Sequence, residues 1–161
     1  MKINRVVLVA VGITLTSSIY GLLPAGATDS SRASAAPRVV GVFPNNMSGT
    51  SSGGYILYSN GKVIPLAGAP YYGAGTNKRL NDFVALITDQ AGNGYWLITK
   101  TGMSFSYGTT CSNGEVLQGP KTLPAGTVVI GAVNTGGSFN EGFDLVSSTA
   151  KTYSYQCNFS F

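Results

Sequence analysis

The chain has 161 residues, only 10% of them charged, with a formal net charge of +4 and no histidine. The few basic residues are scattered, which excludes the cationic stripe that neutralising nucleic-acid phosphates requires. Without histidine, the usual general base and the histidine ligands of zinc sites are excluded as well, and neither a metal nor another cofactor is expected.

At the start, Lys2 and Arg5 precede the apolar run Val6 to Ile13, and Pro24-Ala25-Gly26-Ala27 follows. A basic stretch, an apolar stretch and a small-x-small site make residues 1–27 a secretory signal peptide cleaved after Ala27. Thr14, Thr16, Ser17 and Ser18 break the apolar run well short of the ~20 residues of a membrane span. No Cys stands at the cleavage site after the apolar stretch, so no lipid anchor is expected, and no later segment is apolar enough to span as a helix. The protein is therefore expected to be secreted, either free outside the cell or associated with its surface. Residues 28–37 are small and polar and form a flexible tail in this reading, since they cannot bury a core. Residues 38–161 then form one domain.

From Val39 onward the texture is that of short strands, expected at 39–43, 54–58, 62–64, 83–87, 94–98, 103–107, 127–133, 143–146 and 151–159. Ser59-Asn60-Gly61-Lys62 is an Asn-Gly hairpin signal, with both central positions tolerant of positive φ. No window of helical length carries a 3.6-residue apolar stripe, and 22 glycines favour tight turns. The expected fold class is all-β.

Self-similarity organises these strands into three copies of one unit, at about 38–80, 81–124 and 125–161. Each has an apolar strand, a Gly/Asn/Ser-rich turn, a Gly-aromatic-x-Leu strand, a short turn and a third strand. The middle strands open with Gly54-Tyr55-Ile56-Leu57, Gly94-Tyr95-Trp96-Leu97 and Gly142-Phe143-Asp144-Leu145. Phe105-Ser106-Tyr107 and Tyr153-Ser154-Tyr155 follow in the second and third copies. Cys111 and Cys157 come just after these triplets, an even pair in a chain bound for an oxidising compartment, and are expected to form a disulfide between neighbouring copies. Closing that loop is worth ~4 kcal/mol on a chain-entropy basis.

The run Gly94-Tyr95-Trp96-Leu97-Ile98-Thr99-Lys100-Thr101-Gly102-Met103-Ser104-Phe105-Ser106-Tyr107-Gly108 resembles the Gly-Tyr-Trp-Leu-Val-x-x-x-Gly-x-x-Phe-x-Phe-Gly repeat of secreted actinobacterial proteins. The first copy carries the unit with one deletion, and its Ala69-Pro70-Tyr71-Tyr72-Gly73 is similar to the family's Ala-x-Phe-Tyr-Gly segment. In the third copy Asp144 replaces the Trp. The resemblance implies propeller-like units that bind rather than catalyse, in proteins labelled as wall-active or as esterases. Three units are fewer than the four of the smallest ordinary propeller. A compact sandwich, a barrel, a partial propeller or association between chains are the alternatives.

Few groupings offer catalysis. Gly49-Thr50-Ser51-Ser52-Gly53 has the outline of a nucleophile elbow, but Ser51 has no histidine to activate it, and no helix is expected after Gly53. Glu141 and Asp144 fall where turn and outward-facing acids are expected, not as a carboxyl pair across a cleft. Asp89-Gln90-Ala91-Gly92-Asn93-Gly94 lacks the repeated acids of a calcium loop. Tyr71, Tyr72 and Trp96 are the candidate glycan-stacking residues, and a non-enzymatic module binding glycan or cell-envelope material is the expected function. A second reading makes the chain an assembly subunit. It would self-associate or dock a protein partner through the alternating stripe Tyr153, Tyr155, Cys157, Phe159 and Phe161.

Overall fold

The structure, a computed structural model, describes residues 35–45, 53–111, 115–135 and 141–158. The leader at 1–27, most of the tail, Ser51, Phe159 and Phe161 lie outside the described residues. Among the described residues there are ten strands, one 3-10 turn at Gly75–Lys78 and no α-helix.

The strands form three antiparallel sheets. The first is β1 (Val39–Pro44), β2 (Gly54–Tyr58) and β3 (Val63–Leu66), in that order. The second is β4 (Phe83–Thr88), β5 (Gly94–Thr99) and β6 (Ser104–Gly108). The third joins β7 (Val116–Gln118), β8 (Val129–Asn134), β9 (Gly142–Ser147) and β10 (Thr152–Asn158) in the order β7-β10-β9-β8. Strand β7 precedes the expected repeat boundary at about 124. It lies in the second copy by sequence but pairs with β10 of the third, through Leu117 opposite Cys157. The Cys111–Cys157 disulfide, with Cα atoms 5.6 Å apart, ties the same segment to β10. The staple therefore joins the second and third copies.

The copies match closely. Each opening strand carries a register shift at the same place, between Val39 and Gly41, Phe83 and Ala85, and Val129 and Gly131. Each second hairpin closes identically: Tyr58, Thr99 and Ser147 donate their N–H groups to the carbonyls of Lys62, Met103 and Lys151. These turns place Gly61, Gly102 and Ala150 at positive φ. The Asn-Gly turn thus differs from expectation, since Gly61 adopts positive φ and Asn60 does not. Equal turns also remove the deletion inferred in the first copy. Gly53, Gly94 and Gly142 are the equivalent glycines, accepting from the N–H groups of Asn45, Asp89 and Thr135. Tyr55 is consequently equivalent to Trp96 and Asp144, one residue out of step with the recurring aromatic.

That shift decides the packing, because one step along a strand moves a side chain to the other face. Tyr55 and Leu57 face the second sheet and bury against Tyr95, Leu97, Leu86 and Phe83. On the far side of the second sheet, Trp96 and Ile98 bury against Phe143, Leu145 and Val129 of the third. Every residue of β5 is buried. At ~1.5–3 kcal/mol per large apolar side chain, these two cores are the main favourable contribution to the fold. The sheets fan from an inner edge made by β1, β4 and β8, with no closed barrel and three layers where a sandwich has two. Of the expected architectures, the closed barrel is not the one observed: the described residues form three separate antiparallel sheets.

Successive sheets are also linked by backbone. Phe83 donates to the Ser59 carbonyl at 3.0 Å, and Val129 to the Lys100 carbonyl at 2.9 Å. Ala150 fills a left-handed position that its two counterparts give to glycine. Ala150→Gly should therefore stabilise the protein by about 0.5–1 kcal/mol, read from urea unfolding. Equal or lower stability would show that this turn is not strained.

Candidate functional site

Where the inner edge ends, Phe43, Pro44, Leu86, Ile87, Thr88, Ala132, Val133 and Asn134 line a cleft of about 310 Å³. Equivalent positions hold it together. Thr88 Oγ1 donates to the Pro44 carbonyl at 3.5 Å, and Asn134 Nδ2 donates to the Thr88 carbonyl at 2.9 Å. The next residue of each strand is again polar: Asn45, Asp89 and Thr135. Asn45 Oδ1, Asp89 Oδ1 and Thr135 Oγ1 are each buried with no hydrogen-bond partner among the described residues. Leaving a buried polar atom unpaired costs about 1–3 kcal/mol, and here the cost falls on three equivalent positions at one end of the molecule.

Asp89 is the most heavily penalised. Desolvation pushes its carboxyl up from the ordinary value, and the nearby Glu141 carboxylate adds to the effect. The N–H groups of Asn93, Ala91 and Gln90 partly oppose it, the first through a 3.2 Å bond to Oδ2. That bond gives the Asp89–Gly94 segment its place as the β4–β5 hairpin turn.

The structure separates the three sequence-chosen aromatics. Trp96 is 0% exposed, with its ring 5.4 Å from that of Phe143, so it cannot stack on a ligand. Its strand neighbour Tyr95 is just as buried, because the second sheet is covered on both faces. Tyr72 is half-buried; its hydroxyl donates to the Gly92 carbonyl and its ring meets that of Tyr95 edge-on. Tyr71 is 56% exposed and remains available. Around these rings, Tyr55 donates to the Pro70 carbonyl and Tyr95 to the Gly73 carbonyl. Desolvation pushes both phenols up to about 12, so they are neutral donors at physiological pH. The 69–73 segment is thus clamped onto the first core.

In the last strand, Tyr153 and Tyr155 pack against the second core, Tyr155 stacked on Phe143. Strand β10 lies between β7 and β9, with β7 pairing along its Gln156–Asn158 end. The polar ends of the opening strands were missed in the sequence because Asn45, Asp89 and Thr135 share no residue type. Their only common signal is position, one residue past each apolar strand.

Comparison with protein-family models, curated proteins and solved structures finds no match to this chain.

For Asp89, a raised folded-state pKa means stability that is full below the ordinary carboxylate range and lost as pH rises through the folded value. Melting temperature should therefore fall over that window. Asp89→Asn should flatten the profile and melt higher at neutral pH, as read by calorimetry. Superimposable profiles would mean that Asp89 is not desolvated.

Proposed function

We propose that the protein is a secreted, non-enzymatic binding module that takes a hydroxyl-rich ligand, a glycan or related cell-envelope material, at the cleft on the inner edge. The observation that carries this reading is the set of unpaired oxygens on Asn45, Asp89 and Thr135 next to that cleft. Sugar hydroxyls supply the donors these oxygens lack, and the apolar lining, Phe43 included, suits the less polar face of a pyranose ring. A buried acid with one oxygen left unpaired lowers stability, and such groups concentrate at sites under functional demand. Tyr71, exposed on the clamped segment, offers a second ring for a longer chain.

The reading also fits the chain's chemistry. The histidine-free sequence lacks the usual base of acyl transfer. The leader and the disulfide fit an extracellular setting.

Titration calorimetry with chito-oligosaccharides and soluble peptidoglycan fragments tests the proposal. At least one should bind, and Asp89→Asn should weaken it about tenfold, since an ionised acceptor contributes roughly 1.5–3 kcal/mol to a hydrogen bond. The same variant is the one expected to melt higher, so lost binding cannot be blamed on unfolding. Absence of binding across the panel, or binding that Asp89→Asn leaves unchanged, overturns it.

A further inference from the structure

The fan ends in two complementary faces, and we infer that a second copy of this chain seats on them, the third sheet of each copy against the first sheet of the other, closing a ring of six sheets.

Consider the face that each sheet turns toward the sheet before it. Phe83 and Leu86 of the second sheet are buried there, as is Val129 of the third. Their counterparts in the first sheet are Val39 and Val42, which are 52% and 66% exposed. Leu97 and Leu145 are likewise fully buried, whereas the equivalent Ile56 is only partly so. The face turned toward the following sheet tells the same story. Phe43 packs against the first core and Ile87 against the second, but the equivalent Val133 of the third sheet is 53% exposed. The exposed apolar side chains of β1 and β8 thus stand at positions that are covered wherever a neighbouring sheet is present. Isolated exposed apolar residues are ordinary; two sets at matching positions of a repeating interface are not.

The backbone repeats the pattern. The carbonyls of Ser59 and Lys100 accept from the first residue of the next sheet, Phe83 and Val129. The next carbonyl in the series is that of Ser148, and the first residue of the first sheet is Val39. The Ser148 carbonyl accepts no backbone bond among the turn and loop contacts of the described residues, and Val39 stands opposite Tyr58 as Phe83 stands opposite Thr99. Across the proposed seam, Val39 of one copy donates to Ser148 of the other. One intrachain bond is not reproduced: Pro44 stands where Thr88 and Asn134 donate, and it has no donor. The seam is therefore weaker than the two interfaces within the chain, and the assembly is a reversible dimer. A head-to-tail contact of this kind closes into a ring or runs on as a filament, and six sheets lie within the four-to-eight range of closed propellers.

Because Phe43 and Leu86 share the first core and Ile87 and Ala132 approach each other at the cleft, Val133 of one copy meets Val42 of the other. Sedimentation velocity of the exported chain tests this. Wild type should show a concentration-dependent species of twice the monomer mass. Val42→Arg and Val133→Asp should each be monomeric, with unchanged circular dichroism because both side chains are exposed. Mixing the two variants should restore the dimer, since one seam then pairs opposite charges and the other is wild type. A monomer at all concentrations overturns the inference. So do a ladder of larger oligomers, a dimer that survives both single substitutions, and a mixture that stays monomeric.

Discussion

The middle strand of the second sheet, β5, is the constraint on which the rest depends. All six of its residues are buried, Tyr95 and Leu97 on one side and Trp96 and Ile98 on the other. A strand buried on both faces needs a layer on each side, and this one has the first sheet on one side and the third on the other. Each outer sheet, in turn, has one face filled by β5 and its neighbours. Removing an outer sheet would expose one side of β5 at a cost of several kcal/mol. The disulfide and β7 reinforce the side toward the third sheet, where Phe143 and Leu145 meet Trp96 and Ile98.

The same arrangement explains the polar end of the inner edge. Once β4 is fixed between β1 and β8, the residues after Pro44, Thr88 and Asn134 are carried to one end of the fan whatever their chemistry. Asn45 and Asp89 are held almost without solvent contact, and their Oδ1 atoms have no hydrogen-bond partner among the described residues. A packing requirement alone would favour apolar residues there. The structure instead keeps oxygens at all three equivalent positions, which is the physical basis for reading that end as a binding site.

Much of this was legible in the sequence. Nine strands, the three copies and the disulfide between neighbouring copies follow from β-branched and aromatic runs, glycine-marked turns and cysteine count. What escaped is instructive. Strand β7 is only Val116-Leu117-Gln118, too short to show alternation, and exists because β10 offers it an edge. The register of the first copy was hidden because Gly53-Gly54 gives two possible starting glycines. Matching aromatic to aromatic chose the wrong one, and hydrogen bonding of the turn selects the other. Trp96 looked like a surface ring because a strand covered on both faces cannot be told from a half-exposed one when its residues are uniformly apolar or aromatic. The buried oxygens share a position but no residue type, so no motif could have marked them.

Native-state hydrogen exchange read by mass spectrometry tests the central claim most directly. If both cores depend on β5, its amides should exchange more slowly than those of any other strand. Leu97→Ala, which opens the first core, should then speed exchange in the third sheet as well as in the first. Slower exchange in β2 or β9 than in β5, or a third sheet indifferent to Leu97→Ala, would contradict the account and make the three sheets independent units.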